Sequence, residues 1–364
     1  MKVLTHTTCF VAMLLVLCLS SLSTQELLIL PDASPAAMVM QEVGISKVKI
    51  SYHSPSVNGR EVWGKLVPYG MDPNNPFGHG KPTPWRAGAN ENTSITLTHD
   101  AMVEGKPLRA GTYGLFMVTG PDEWTIIFSK NSTSWGHFFY EESEDALRVT
   151  VKPAAVSESQ DRLSYGFDNT NTKQTTAYLR WEKLKVPFTI AFDTPAIVVE
   201  NLKNQLRNRN AFSGAMLIRA ANYCLQNDIA LDQAALWAER AFAYGGGNGA
   251  RFAKATILEK QGKIAEADAL RKTAAESANE IELNAYGYEM LGQKKFDKAI
   301  EIFKSNTVKF PKSWNVWDSL ADGYDQKGDK KLAIENYNKA LKLVTDDGNK
   351  GRIGEILKRL NESK

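Results

Sequence analysis

Two hydrophobic periods divide this chain. From about Gln25 to Phe192 apolar and polar residues alternate: Val48, Ile50 and Tyr52 are separated by Lys49 and Ser51, and Leu147, Val149 and Val151 by Arg148 and Thr150. A period of two turns one face of each segment inward and predicts strands. Further strands are predicted over 94–99, 112–118, 123–129, 163–167, 175–181 and 186–192, punctuated by turn sequences such as Gly120-Pro121-Asp122 and Asp168-Asn169. Short, closely spaced strands without intervening helices predict an antiparallel β-sandwich or jelly-roll-like barrel over residues 25–192. At Thr194-Pro195 the regime changes, with Thr194 placed to cap a helix and Pro195 suited to its first position. Helices are predicted over the remaining residues, 193–364.

The helical part repeats itself. Trp317-Asp318-Ser319-Leu320-Ala321-Asp322-Gly323-Tyr324, followed by Gly328, Ala333-Ile334, Tyr337 and Ala340-Leu341, resembles the tetratricopeptide pattern, in which small residues let paired helices approach and aromatics fill the gaps. The preceding unit places Leu283, Tyr286-Gly287, Met290, Ala299-Ile300 and Phe303 equivalently, with Ala299 and Ala333 34 residues apart. Weaker units run over 250–275 and 215–241, so about four helical pairs are expected, enough for such a stack to bury a continuous core. The Gly245-Gly246-Gly247-Asn248-Gly249 run has the glycines of a phosphate-cradling loop, but it follows a helix and lacks the Lys-Ser/Thr of a P-loop. It is predicted as a turn between repeats.

Composition adds the compartment. At 364 residues and 43% hydrophobic content the chain is too long for one compact core. Lys2, the apolar run from Phe10 to Leu19 and the small residues of Ser21-Leu22-Ser23 form a signal peptide over residues 1–24. About ten apolar residues fall short of the roughly 20 that span a bilayer as a helix. Cys18 would suit a lipid anchor only with a small residue before it, and Leu17 is not small. Export is therefore expected, to the periplasm ahead of secretion or surface attachment. The net charge of +3, without a basic stripe, argues against a nucleic-acid partner. Cys9 and Cys18 would leave with the signal, so Cys224 remains alone and no intramolecular disulfide is expected. Its place in Tyr223-Cys224-Leu225, within a helical pattern, suits a small buried hydrophobe better than a nucleophile.

Candidate chemistry centres on Trp85-Arg86-Ala87-Gly88-Ala89-Asn90-Glu91-Asn92-Thr93 and the run from Gly59 to Gly70 that leads to it. Neither shows a strand or helix period. Arg60, Trp63, Trp85, Arg86, Asn90, Glu91 and His137 are the candidate ligand-binding residues. Three readings stay open. In the structural one, the tryptophans plug the end of the sandwich, Arg86 pairs with Glu91 and Asn90 caps a turn. In the binding one, indole faces stack on a sugar or another flat small ligand while Arg60, Arg86, Asn90 and Glu91 supply directional hydrogen bonds. In the catalytic one, a histidine such as His53 or His137 works with Glu61, Glu91 or Asp100 as a general base. His53, His79, His99 and His137 fall into no His-Glu-x-x-His or Cys/His pattern, and no Gly-x-Ser-x-Gly elbow occurs, so neither a metal nor a cofactor is expected.

A second resemblance is ordered along the first domain. Leu30-Pro31, Ser34-Pro35, Ile50-Ser51-Tyr52, Ser54-Pro55, Gly59-Arg60, Trp63-Gly64, Leu66-Val67-Pro68-Tyr69-Gly70, Trp85 to Glu91, Ala110-Gly111-Thr112-Tyr113, Glu123-Trp124 and Trp135-Gly136 closely resemble the secreted bacterial family called domain of unknown function 2911. The resemblance covers roughly residues 30–192 and implies a fold and an exported location. It carries over no catalytic residue, because the family has no assigned reaction. In the family's pattern the Pro-Tyr-Gly run meets Trp-Arg after a residue or two, whereas here the Pro- and Gly-rich segment from Met71 to Pro84 intervenes. The expectation is an exported binding or scaffolding protein of the bacterial envelope, its helical repeats engaging a protein or peptide and its β domain taking a small ligand or glycan. The alternative is a hydrolase or carbohydrate-active module using the Trp85 to Thr93 loop.

Overall fold

The computed structural model describes residues 30–74 and 80–362. The signal peptide expected over 1–24 and His79 lie outside the described residues. Backbone proximity divides the chain into Met1–Phe192 and Asp193–Lys364.

Among the described residues the first unit holds ten strands in two antiparallel sheets. One has the order β1 (Ala36–Val43), β2 (Ser46–His53), β3 (Ser94–Leu97), β6 (Gly111–Val118), β7 (Trp124–Ser129) and β8 (Asp145–Val151). The other has the order β5 (Lys106–Leu108), β4 (Ala101–Val103), β10 (Gln174–Ala191) and β9 (Ala154–Asp168). These pairings are antiparallel throughout. The period-two segments behave as alternation requires: Val48 and Ile50 are fully buried while Lys47 and Lys49 face out. Rings from the two sheets meet in the core, Phe128 of β7 against Phe188 of β10 at 6.2 Å and Tyr52 of β2 against Tyr165 of β9 at 4.9 Å.

Two segments expected as separate strands, 175–181 and 186–192, are one strand, β10. The join passes through Glu182, which takes a left-handed φ of 51°, and the ladder to β9 slips on either side of it. A bulge accommodates the extra residue and bends the strand without ending it. The edge strand β1 escapes sequence reading because it is scarcely patterned: Met38 and Met40 are exposed.

The second unit is helical. α1 (Thr194–Gln205) is capped by Asp193, whose carboxylate accepts from Ala196 N at 3.3 Å. The cap therefore sits one residue before the expected Thr194, since an aspartate there already satisfies an orphan N–H. The helices that follow are α2 (Gly214–Asn227), α3 (Leu231–Ala241), α4 (Gly247–Lys260), α5 (Ile264–Ser277), α6 (Glu280–Gly292), α7 (Phe296–Lys309), α8 (Trp314–Lys327), α9 (Lys330–Leu343) and α10 (Asp347–Glu362). Helices α2, α4, α6, α8 and α10 begin 33 or 34 residues apart, the tetratricopeptide period. Phe303 of α7 is fully buried in the cluster that runs through the last repeats, and a methyl group at Gly287 of α6 would strike its ring.

Polar joints recur at the same period. Arg352 Nη2 donates to Asp318 at 2.6 Å, Arg359 Nη2 to Asp325 at 2.6 Å and the Tyr288 hydroxyl to Asp322 at 2.5 Å, each across 34 residues. The most elaborate joint explains the glycine run. Glu282 of α6 accepts from Asn248 N at 2.8 Å, from Asn248 Nδ2 at 3.2 Å and from Asn279 N at 2.9 Å, closing a capping box with Asn279. Its carboxylate thus sits on the N-terminus of α4, where unpaired N–H groups and the helix dipole favour an anion. Burial raises the Glu282 carboxyl, but these hydrogen bonds overcome it and hold the group below the usual carboxylate range. Gly247, at φ 55°, must lack a side chain, because a Cβ there would collide with the carboxylate.

Candidate functional site

The stretch from Trp85 to Thr93 is pinned to the first sheet at one end and folds back on itself at the other. Trp85 exchanges both backbone hydrogen bonds with Met117 of β6, at 2.9 and 2.8 Å. Ala87 then adopts φ 53° and Asn90 φ 54°, left-handed conformations that cost a non-glycine residue about 1 kcal/mol or more. The surroundings hold them there. The Ala87 carbonyl accepts from Tyr165 OH at 2.8 Å and Thr93 Oγ1 at 3.2 Å, and Asn90 Nδ2 reaches the Ser34 carbonyl at 3.3 Å.

Beneath the loop lies a cluster of four tryptophans. Trp85 stacks on Trp181 at 6.0 Å, and Trp63 meets Trp85, Trp124 and Trp181 edge-on at 4.9–5.8 Å. Edge and offset contacts are the arrangements that ring quadrupoles favour. Trp124 Nε1 donates to Gly120 O and Trp181 Nε1 to Asp161 O, while the buried Trp63 Nε1 has no partner among the described residues.

Above the cluster a cleft of about 460 Å³ opens, and Arg60, Trp85, Arg86, Asn90 and His137 all line it. Asp72, Trp135, Phe138 and Trp181 complete much of the wall. Arg86 is half-buried. Its Nη1 donates to the Asn90 carbonyl at 2.8 Å and its guanidinium lies 5.4 Å over the Phe138 ring. Among the described residues no carboxylate pairs with Arg86 or Arg60, and burial lowers the pKa of Arg86. Arg60 is tied to the backbone through Ser56 O at 2.6 Å and Val57 O at 3.0 Å. His137 has a buried Nδ1 without a hydrogen-bond partner among the described residues. Burial and then the charge of Arg86 push its pKa down to about 4, against a smaller upward pull from Asp72, so the imidazole is neutral at pH 7. Gly136, at φ 59°, lets this segment close on the arginine, since a Cβ there would stand 2.7 Å from Arg86 Nη1.

Two candidates fall elsewhere. Trp63 belongs to the supporting ring cluster rather than the wall. Glu91 points away and pairs with His53, Nε2 to Oε2 at 3.1 Å, so the Arg86–Glu91 pair does not form and Glu91 does not join His137. The His53–Glu91 pair has no neighbouring nucleophile in Ser54, whose hydroxyl donates to the Leu163 carbonyl at 2.6 Å. Sequence reasoning missed Asp72, Trp135, Phe138 and Trp181. Asp72 lies at the base of the inserted segment, where it bridges Thr83 through backbone hydrogen bonds of 2.7 and 3.0 Å. Among the described residues no three His, Cys, Asp or Glu side chains gather to hold a metal ion.

A second concavity lies within the helical unit. A groove of about 680 Å³ crosses α2, α4 and α6, lined by Asn222 and Gln226, then Thr256 and Lys260, then Glu289 and Gln293. These pairs recur at 33- or 34-residue steps, so the groove runs along the stack. Glu289 is raised by burial against the pull of Lys295 and Arg271. Cys224 of α2 is buried, with its thiol pushed up by that burial. No helix among the described residues is long and apolar enough to cross a membrane.

Known proteins resemble the two units differently. Among solved structures, a MamA fragment from Desulfovibrio magneticus RS-1 is 14% identical, covering 41% of this chain and 83% of its own with a TM-score of 0.26. YrrB, described as a TPR protein with an unusual peptide-binding site, is 16% identical, covering 44% and 84% with a TM-score of 0.26. PilF of Pseudomonas aeruginosa is 20% identical, covering 42% and 69% with a TM-score of 0.27. No curated protein matches. Residues 34–190, which contain the strands and the cleft, match the family described as "Protein of unknown function (DUF2911)", and the N-terminal unit carries that family's pattern.

Proposed function

We propose that this is an exported binding or scaffolding protein whose helical stack holds an extended segment of a partner protein. The observation that carries this reading is the groove across α2, α4 and α6. Its polar side chains recur with the repeat: Asn222 and Gln226 each offer a donor and an acceptor, and Gln293 donates to Glu289 at 3.3 Å within the groove. Paired donors and acceptors at regular steps match the main chain of an extended peptide. Export to the periplasm rests on the N-terminal apolar run, and the β domain adds a separate small-ligand site at the Arg86 cleft.

The test uses the full chain in its native host. A photo-crosslinking residue at position 226 should trap one discrete envelope protein, and Asn222→Ala with Gln293→Ala should reduce the yield at least several-fold while helical content is kept. Equal trapping by that double variant would sink the groove reading. Cell fractionation that recovers the protein in the cytosol would sink the export reading.

The hydrolase alternative gains nothing from the geometry, because Glu91 is committed to His53 and lies off the cleft wall. A neutral His137 beside a cation is better suited to accept or donate one hydrogen bond to a bound molecule.

A further inference from the structure

The cleft in the β domain can be assigned a ligand chemistry, an inference that rests on reading it as a small-ligand site. Arg86 is a half-buried cation whose only polar partner among the described residues is a backbone carbonyl. Removing a guanidinium from water without a counterion is costly, and here it is offset by the Asn90 carbonyl and the Phe138 ring face. Gly136 brings the 135–138 segment within reach, setting the Phe138 ring over the guanidinium and His137 beside it.

Arg60 supplies a second guanidinium at the same cleft. Opposing them, Asp72 places one carboxylate in the wall, which disfavours a dianion such as phosphate. A single planar guanidinium matches a carboxylate through two parallel hydrogen bonds. Trp135 is 53% exposed at the cleft rim, and an exposed indole there offers a face for a ring.

We propose that the cleft binds a small ring-bearing carboxylate, with the anionic group on Arg86 and Arg60 and the ring against Trp135. Two sources share this chemistry, aromatic acids and acidic sugars.

The experiment titrates the full-length protein at pH 7 with benzoate, glucuronate, their neutral counterparts benzamide and glucose, and inorganic phosphate, followed by calorimetry and tryptophan fluorescence. At least one carboxylate should bind roughly ten- to a hundred-fold more tightly than its neutral counterpart. Preference for benzoate assigns the aromatic source, and preference for glucuronate assigns the sugar. Arg60→Gln, on an exposed side chain, should weaken the preferred acid several-fold, as should Trp135→Ala. Arg86→Lys should weaken it at least about ten-fold if the bidentate contact is made. Equal binding of acid and neutral counterpart, or tighter binding of phosphate, overturns the ligand class and leaves the cleft reading standing. Silence from all five probes overturns both. An Arg86→Lys protein that fails to fold transfers the decision to Arg60→Gln, whose unchanged affinity would overturn the proposal.

Discussion

The Arg86 loop and the helical stack solve the same problem, holding polar groups in fixed places, by opposite means. In the stack each joint ties one repeat to the next across one period, as Arg352 to Asp318 and Asn248 to Glu282 do across 34 residues. In the loop every contact is particular: Ala87 is held by Tyr165 from 78 residues away and Asn90 by Ser34 from 56. Repetition spreads stability over many equivalent contacts. A singular loop concentrates it, and can therefore keep strained residues and an uncompensated cation where a ligand can use them.

That contrast can be broken most forcefully in the stack. Phe303→Ala removes a fully buried ring at the joint between repeats and should cost about 3–5 kcal/mol, read by chemical denaturation of the helical signal. A loss under about 1 kcal/mol would mean that neighbouring repeats collapse into the space and that the stack is softer than its packing implies. Glu282→Ala should cost about 2 kcal/mol in the same assay, since it removes both a capping-box partner and the carboxylate seated on α4.

On the loop side the effect is written in pH. His137 titrates near 4 in the folded chain and near its ordinary value of 6.5 when unfolded. The unfolded chain therefore binds the extra proton first. The stability that a neutral His137 contributes is fully present above about pH 6.5 and is lost as pH falls from there to about 4. Discounted for its partial contact with solvent, the loss is about 1–2 kcal/mol. His137→Asn should flatten that limb of the stability-against-pH curve, and an unchanged slope would place the proton elsewhere. Tyr165→Phe should be the mildest, about 1 kcal/mol, because Thr93 still donates to the Ala87 carbonyl. A larger loss, with the cleft tryptophans changing their fluorescence, would show that the left-handed turn depends on one hydroxyl.

Legibility followed the same division. The strands with clean alternation and the last two repeats were readable because burial on one face leaves a period in the sequence. β1 was not, since its apolar residues fall on both faces: Met38 and Met40 are exposed while Val39 is half-buried and Val43 buried. The break inside β10 was over-read, because Glu182 interrupts the alternation without ending the ladder. In the cleft, Arg60, Arg86, Asn90, Trp85 and His137 were identifiable by residue type and the structure brings them together. The direction of Glu91 was not. Whether a carboxylate turns toward Arg86 or His53 is decided by the turn at Asn90, which no local spacing reveals.

The glycine run at 245–249 looked, by composition, like a receptor for phosphate. It is a receptor whose ligand is tethered: the Glu282 side chain already occupies it, held there by the repeat it belongs to. A free phosphate would have to evict a covalently attached competitor and uncouple two repeats in doing so.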